Sequence, residues 1–329
     1  MQTRQLGTTD LHVTPIGFGA WAIGGPDYAF GWGPQDDADS VGAIERAIDA
    51  GINWIDTAAI YGLGRSEQVV AKALEAVGSS RRPYVFTKCS LVWNAAGAIS
   101  HSLAPASLRK EVDDSLRRLG TEVIDLYQVH WPEPFGGNGS APDIEEGWRT
   151  LADLRQAGKL RHIGVSNFDE VQLARVNQVA PVASLQPPYS MLRRGIERSV
   201  LPYCLDRRIG VLVYSPMAAG ILSGKMTRER AASLPKNDWR SRNADFQEPR
   251  LSRNLALVEV LRGIGDRHGV SPGAVAVAWT LRHPAVTAAI VGFRNPGQVD
   301  GILPAGTLRL TDAEIAEIEP HVPAAPRTV

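Results

Sequence analysis

Cysteine is scarce in this chain of 329 residues, which contains only Cys89 and Cys204. Two thiols provide neither a disulfide framework nor a set of metal ligands. We therefore expect both to be small residues of the hydrophobic core, with a bridge between them as the alternative. No metal site is predicted.

An excess of charge of either sign is also absent. The 35 basic residues balance 35 acidic ones, and no block of like charge occurs. A basic patch is the usual electrostatic mark of proteins that bind nucleic acid or an anionic membrane. We expect no nucleic-acid partner and no membrane partner, and the sequence leaves the oligomeric state undetermined.

Long apolar runs are absent as well. The first ten residues, MQTRQLGTTD, lack the apolar region of a signal peptide. No run approaches the roughly 18 apolar residues that a membrane span needs. Because 44% of the residues are hydrophobic, a substantial core is expected. These features predict a soluble, cytoplasmic, globular protein.

The chain does contain short apolar runs that alternate with helical patterns. A hairpin is predicted from Arg4 to Val13, with its turn at residues 7–10. Eight further strands are predicted at residues 16–19, 53–55, 84–87, 124–129, 162–165, 183–185, 210–213 and 288–291. Helical patterns begin near Asp39, Ser66, Ala106, Ile144, Asp169, Ile196 and Arg253, and after Ser271. This alternation, without a linker, predicts one α/β domain over residues 1–329, a single (β/α)8 TIM barrel.

A doubly wound open sheet is the alternative fold. Such a sheet normally carries the pattern G-x-G-x-x-G after its first strand. Here the first strand runs into GFGAWAIG at residues 17–24, which breaks that spacing. The barrel is therefore favoured.

Ionisable side chains stand at the ends of three neighbouring predicted strands. Asp56 ends the second, Lys88 the third and His130 the fourth, while Tyr61 follows Asp56 in a loop. The C-terminal strand ends form the active site in barrels of this type. Only six of the 35 basic residues are lysines, so a lysine that closes an apolar strand indicates a chemical role. A buried ion pair of purely structural role is the alternative for Asp56 and Lys88.

Together these four side chains suit the reduction of a carbonyl group. A phenol with a pKa of about 10 is a poor proton donor and acceptor at neutral pH unless a nearby ammonium lowers that value. We expect Lys88 to lower the pKa of Tyr61, with Asp56 holding Lys88 and His130 orienting the carbonyl. Tyr61 would then protonate the developing alkoxide while a cofactor supplies the hydride.

Asp56, Tyr61, Lys88 and His130, in this order and spacing, resemble the catalytic tetrad of the aldo-keto reductases. Their surroundings are similar too: GINWIDTAAIYGLGRSE, VFTK, IDLYQVHWP, GKLRHIGVSNF and GVLVYSPMAAGILSGK. The resemblance runs from Leu6 to about Ile318. It is to the bacterial NADPH-dependent members related to the potassium-channel beta-subunit branch. It implies a (β/α)8 barrel with a nicotinamide cofactor extended across its mouth.

The resemblance also implies a cofactor site. Ser166, Asn167 and Gln186 would bind the nicotinamide carboxamide, Tyr214 would stack on the ring, and residues 217–225 would cover the pyrophosphate. The other expected cofactor contacts are Gly19, Ala20, Trp21, Asp56, Ser215, Pro216, Met217, Gly220, Leu222, Gly224, Lys225, Gly292, Arg294 and Gln298. A helix cap is the alternative for Ser166, and a hydrogen-bonded barrel residue is the alternative for Gln186.

The adenosine end departs from the family pattern. Relatives usually have an acid and an asparagine at the positions of Gly301 and Ile302, and neither side chain here can bond the adenine. Gln298 would lie near the adenine and Arg294 near the 2′-phosphate. Because a guanidinium binds a phosphate with two hydrogen bonds, NADP(H) is expected rather than NAD(H).

Aromatic residues are expected to line the pocket for a small carbonyl or alcohol substrate. Trp21, Trp32, Trp93 and Trp131 lie just beyond strand ends or in the long loops, near Tyr28 and Phe30. Core packing is assigned instead to Trp54, Trp148 and Trp279. Residues 132–142 and 227–250 are predicted to be mobile loops over the mouth.

The leading hypothesis is an NADP(H)-dependent oxidoreductase that reduces aldehydes or ketones, or oxidises the corresponding alcohols or sugar hemiacetals. A barrel that binds the cofactor as a sensor or regulatory subunit, with little turnover, is the alternative. A barrel hydrolase or isomerase is a third. A metallohydrolase would need several histidines and acids at strand ends, and a glycosidase would need two carboxylates where only Asp56 is found.

Overall fold

The computed structural model describes residues 1–134 and 143–323. The strands in chain order are β1 Arg4–Gln5, β2 His12–Val13, β3 Ile16–Gly19, β4 Trp54–Asp56, β5 Tyr84–Cys89, β6 Leu91–Trp93, β7 Ile99–His101, β8 Ile124–Val129, β9 Leu160–Ser166, β10 Ser184–Gln186, β11 Gly210–Tyr214 and β12 Ala288–Gly292. Strands β3, β4, β5, β8, β9, β10, β11 and β12 pair in parallel and close into a barrel. The predicted (β/α)8 barrel is confirmed, and the bounds of its strands differ from prediction by at most two residues.

Helices follow the barrel strands on the outside. They are α1 Asp37–Asp49, α2 Arg65–Val77, α3 Pro105–Leu119, α4 Ile144–Gln156, α5 Glu170–Val179, α6 Val200–Asp206, α7 Arg228–Ala232, α8 Arg250–His268, α9 Pro272–Leu281 and α10 Asp312–Ile318. Local sequence explains the boundary between α8 and α9. Gly269 ends α8 with a left-handed φ of 66°, and the Ser271 side chain then caps α9 by accepting from the Ala274 N–H.

The predicted N-terminal hairpin, β1 with β2, closes one end of the barrel. Its side chains Leu6, Leu11 and Val13 are fully buried and pack with Trp54, whose indole N–H donates to the carbonyl oxygen of Thr14 at 2.9 Å. This plug seals the N-terminal ends of the strands. The opposite end, where the strands finish, is therefore the end open to a ligand.

Successive side chains of a barrel strand point alternately into the barrel and toward the surrounding helices. Lys88 pairs in register with Gln128 on β8, and Gln128 pairs with Gly164 on β9. Because successive side chains point to opposite faces, Lys88 and Gln128 face the barrel interior, whereas their neighbours Cys89 and Tyr127 pack among the helices. Cys89 and Cys204 are both buried and unbridged, as expected.

The loop expectations need correction in two places. The segment 227–250 contains helix α7 and two turns of 3-10 helix, Trp239–Arg242 and Ala244–Phe246. An additional antiparallel hairpin, β6 with β7, follows β5 and was not predicted. Of the other predicted loop, residues 135–142 lie outside the described residues. In the described ranges, no helix has the length and apolar character to cross a membrane.

Candidate active site

Asp56, Lys88 and His130, at or just beyond strand ends, meet Tyr61 of the β4–α2 loop at the open end of the barrel. Lys88 Nζ lies 2.5 Å from Asp56 Oδ1 and 5.2 Å from the centre of the Tyr61 ring. The rings of Tyr61 and His130 are 5.7 Å apart and nearly perpendicular, at 80°. The fold therefore brings together side chains that are up to 74 positions apart in the sequence, between Asp56 and His130.

Lys88 is sealed inside the barrel. Its side chain has no exposed surface, and its ammonium donates to Asp56 and to the carbonyl oxygen of Thr57 at 2.8 Å. Burial lowers the pKa of Lys88, and the Asp56 carboxylate opposes that effect without overcoming it.

The second oxygen of the Asp56 carboxylate is held by two amides. Asp56 Oδ2 accepts from Gln186 Nε2 at 2.8 Å and from Gln128 Nε2 at 3.2 Å. Asp56 as a residue is only 3% exposed, so these bonds replace the hydration that its carboxylate loses. Sequence reasoning did not identify Gln128, because a polar residue within a strand gives no sign of its partner.

The expected effect of Lys88 on Tyr61 is not what the structure shows. The pKa of Tyr61 lies well above its ordinary value, because burial, and next the negative charge of Asp56, disfavour the phenolate. Lys88 does not reverse this. Tyr61 therefore carries its proton at neutral pH. His130 behaves in the opposite sense: burial, and then the charge of Lys88, lower its pKa well below the usual range, so its imidazole is neutral.

A cleft of about 1000 Å³ opens above these residues. Its wall includes most of the predicted cofactor contacts: Gly19, Trp21, Asp56, Ser166, Asn167, Gln186, Tyr214, Ser215, Pro216, Met217, Gly220, Lys225, Gly292, Arg294 and Gln298. Three predicted contacts, Ala20, Leu222 and Gly224, are not among the wall residues. The side chains of Ala20 and Leu222 are buried in the core, and a Cβ on Gly224 would lie 2.8 Å from Pro272.

Hydrogen bonds organise the wall beside His130. Asn167 donates to the carbonyl oxygen of His130 at 3.0 Å and accepts from the Tyr214 hydroxyl at 2.9 Å. Asn167 and Ser215 both have left-handed φ values, of 63° and 55°. Strained conformations of this kind cluster at functional sites. Ser166 does not cap a helix: Asp169 caps α5, so that alternative is wrong.

The far end of the cleft is cationic. The Arg294 guanidinium donates to Gln35 Oε1 at 2.6 Å and to the carbonyl oxygen of Pro34, and among the described residues it contacts no carboxylate. Burial lowers the pKa of Arg294, and Arg240 and Arg230 lower it further, while the negative charge of Asp238 opposes them. Asp238 pairs with Arg240 at 2.6 Å, and the positive charges of Arg294 and Arg230 make this end attractive to an anion.

Aromatic side chains form another part of the wall, which contacts Tyr61 through Trp21 and Arg240 through Trp32. Trp21 stacks on Trp239 with centres 5.3 Å apart and meets Trp32 edge-on at 5.2 Å. Within the described residues, the indole N–H groups of Trp32 and Trp239 have no acceptor. Tyr28, Phe30 and Trp131 also line the cleft, as predicted.

Trp93 is the exception among the predicted pocket residues. It lies in β6, where the Arg118 guanidinium carbon is 5.6 Å from the centre of the Trp93 ring. Trp93 is not on the wall of the cleft. Trp239, by contrast, was missed, and the only signal for it was an aromatic residue in an otherwise polar segment. Trp54, Trp148 and Trp279 are buried core residues, as assigned.

The chain is similar to known proteins along nearly its whole length. The aldo-keto reductase YhdN of Bacillus subtilis is 39% identical over 303 residues, which are 92% of this chain and 88% of that protein. The NADH-specific methylglyoxal reductase of Escherichia coli is 33% identical over 326 residues, covering 95% of this chain and 96% of that protein. Among solved structures, the glycerol dehydrogenase AKR11B4 of Gluconobacter oxydans is 37% identical, with a TM-score of 0.86, over 99% of this chain and 98% of that chain.

The family model agrees with these relatives. The model of the Aldo/keto reductase family matches residues 15–323, which include the whole barrel and the cleft. Together with the (β/α)8 barrel and the strand-end residues described above, this match shows that the chain belongs to the aldo/keto reductase family of oxidoreductases, which act on carbonyl groups with nicotinamide cofactors.

Proposed function

We propose that this protein is an NADP(H)-dependent oxidoreductase that reduces an aldehyde or ketone, or oxidises the corresponding alcohol or sugar hemiacetal, with Tyr61 as the proton donor. The observation that carries the proposal is the buried pair of Asp56 and Lys88 beneath Tyr61, which faces His130 at one end of a ligand-sized cleft.

The protonation states support reduction. Tyr61 keeps its proton at neutral pH, as a donor must, and the neutral imidazole of His130 has one N–H group to offer. Both groups would approach the same substrate oxygen. The N–H of His130 would orient the carbonyl and stabilise its developing negative charge, while Tyr61 transfers its proton to that oxygen. In the oxidative direction Tyr61 would take the proton back.

The cleft beside this pair fits a nicotinamide. Gln186 donates its amide N–H to Asp56, so its carbonyl oxygen remains for the cofactor carboxamide. Asn167 and Tyr214, which hydrogen-bond to each other, would fix the carboxamide and the ring. A bound nicotinamide cofactor would supply the hydride in reduction. The aromatic residues at this end would hold the substrate.

The cationic end favours NADP(H) over NAD(H). Among the described residues, Arg294 uses two of its five N–H donors, on Gln35 and Pro34, which leaves three for a phosphate. A 2′-phosphate would also offset the positive charges of Arg240 and Arg230, which lower the pKa of Arg294 against the opposing effect of Asp238. The relative from Escherichia coli is NADH-specific, so cofactor choice needs to be measured for this chain.

The direct test is to follow NADPH and NADH consumption with a panel of small aldehydes, ketones and hydroxylated carbonyls, after measuring the binding of each cofactor by tryptophan fluorescence. We expect NADPH to bind more tightly and to be consumed. Tight binding without turnover of any carbonyl or alcohol would favour the sensor alternative. Binding of neither cofactor would contradict the proposal.

A further inference from the structure

Gln128 is a buried polar residue at the centre of the barrel. It has no exposed surface, and its side chain lies inside the barrel beside Asp56 and Gln186. Its amide uses both ends: Nε2 donates to Asp56 Oδ2 at 3.2 Å, and Oε1 accepts from Gln186 Nε2 at 3.1 Å. A buried amide satisfied on both sides has a defined orientation, because turning it over would break both bonds.

This arrangement also fixes the orientation of Gln186. Its Nε2 lies between two acceptors, Asp56 Oδ2 at 2.8 Å and Gln128 Oε1 at 3.1 Å. The opposite orientation would place a carbonyl oxygen against a carboxylate oxygen, which is repulsive. Gln186 therefore presents its own carbonyl oxygen away from Asp56, and it is also a wall residue of the cleft.

Gly164 on the neighbouring strand packs beside Gln128 and Ser184. Gly164 pairs with Gln128 in register, and a Cβ on Gly164 would lie 3.4 Å from Gln128 Cγ and 2.4 Å from Ser184 Oγ. A side chain at this point of β9 would therefore collide with Ser184, whereas its distance from Gln128 would be an ordinary van der Waals contact.

We propose that Gln128 is a positioning residue that connects the two halves of the site: it holds Asp56 for its ion pair with Lys88, and it orients Gln186 toward the nicotinamide carboxamide. The proposal rests on the function proposed above. It assigns a role to a residue that is not on the wall of the cleft. Through Gln128, the position of the Asp56 carboxylate and the orientation of the Gln186 amide depend on each other.

The first variant is Gln128→Met, which keeps an unbranched side chain of similar size and removes both polar ends. Loss of one hydrogen bond to a buried carboxylate is expected to lower kcat roughly 10- to 100-fold. The matched control is Ser184→Ala, since the Ser184 hydroxyl is also buried in the barrel but has no partner among the described residues. This control is expected to retain the wild-type kcat.

A binding comparison separates positioning from a general loss of structure. NADPH and 2′-phospho-ADP-ribose share the adenosine and phosphates, but only NADPH has the nicotinamide. Gln128→Met is expected to raise the Kd of NADPH several-fold and to leave the Kd of 2′-phospho-ADP-ribose unchanged. If the wild type prefers NADH, then NADH and ADP-ribose replace this pair. Equal weakening of both ligands would overturn the proposal, because it would show a general structural role.

A second variant, Gln128→Glu, adds a pH readout. At about pH 5 the introduced acid can carry a proton and donate to Asp56 as the amide does. At about pH 8 two carboxylates would face each other, and like charges this close destabilise the arrangement. We expect the ratio of variant to wild-type kcat to fall at least roughly tenfold over this range.

Several results would overturn the proposal. They are a Gln128→Met kcat within about threefold of wild type, a pH-independent ratio for Gln128→Glu, or a Ser184→Ala variant as impaired as Gln128→Met. Failure of the proposed function would look different: the wild type itself would bind cofactor without turning over any carbonyl. In that case the comparison of NADPH with 2′-phospho-ADP-ribose still tests whether Gln128 orients Gln186.

Discussion

Lys88 and Asp56 form an ion pair at 2.5 Å in which the lysine side chain has no exposed surface and the aspartate side chain is 4% exposed. Taking both charges out of water is costly, and it is compensated only because each charge has further hydrogen-bond partners. Thr57 accepts from the ammonium, while Gln128 and Gln186 donate to the carboxylate. The site therefore depends on a complete set of partners, which makes it sensitive to the loss of any one.

Removing one charge of this pair is expected to destabilise the fold. Lys88→Met leaves the Asp56 carboxylate buried without its cation, and breaking a buried pair in this way costs about 3–5 kcal/mol. The double variant Asp56→Asn with Lys88→Met should recover part of that loss. The measurement is the free energy of unfolding in urea. Arg109→Ala, which removes one partner of an exposed ion pair, is the control and should change little. A single variant as stable as wild type would contradict the buried pair.

Arg294→Ala is expected to weaken the binding of NADPH far more than the binding of NADH. Loss of charge-assisted hydrogen bonds to the 2′-phosphate should raise the Kd of NADPH roughly 10- to 100-fold. NADH should change little, since its ribose has no phosphate for the guanidinium to bind. Fluorescence titrations of both cofactors give the two values, with Arg109→Ala as the surface control. Equal losses for both cofactors would mean that another residue recognises the 2′-phosphate.

The aromatic wall is expected to favour oxygen-rich substrates. The indole N–H groups of Trp32 and Trp239 are buried and lack acceptors within the described residues, and a substrate hydroxyl would supply one once the side chains that cover them shift. We expect kcat/KM to be higher for glyceraldehyde than for propanal, and Trp239→Phe to reduce that preference about fivefold. Trp93→Phe is the matched control, because Trp93 is not on the wall. An unchanged preference in Trp239→Phe would contradict this role.

Glu111 is expected to make stability depend on pH. This carboxyl group accepts from the Ser90 N–H and the Ser107 hydroxyl, and burial raises its pKa from 4.5 to about 7. Between these values the folded state holds a proton that the unfolded state has lost, so its contribution to stability is present below about pH 4.5 and disappears as the pH rises through 7. The free energy of unfolding is therefore expected to fall between pH 5 and pH 8, and Glu111→Gln should make that fall smaller by about 2–3 kcal/mol. Urea unfolding at each pH measures it. A pH dependence identical to wild type would contradict the raised pKa.

Much of the fold and the catalytic group could be predicted because both depend on local patterns. Most barrel strands are short, mainly apolar runs, and ionisable residues stand at or just beyond the ends of β4, β5 and β8. Asp56, Lys88 and His130 were identifiable for that reason. The closure of the barrel then brings these ends together without further information from the sequence.

The remaining features depend on tertiary structure. Burial raises the pKa of Tyr61, and burial cannot be inferred from a tyrosine in a loop. Trp93 was placed wrongly because the hairpin of β6 and β7 carries it away from the cleft. The partners of Gln128 come from β4 and β10, which are remote in sequence from β8.

Tyr61→Phe gives the most direct test of the central claim that Tyr61 donates the proton to the substrate oxygen. The measurement is single-turnover reduction of an aldehyde by enzyme-bound NADPH, together with the Kd of NADPH. The control is Tyr84→Phe, because Tyr84 begins β5 at the end of the strand away from Lys88. Loss of a positioned proton donor should slow turnover by at least roughly 100-fold and leave the Kd within about threefold. Turnover at the wild-type rate in Tyr61→Phe would contradict the account.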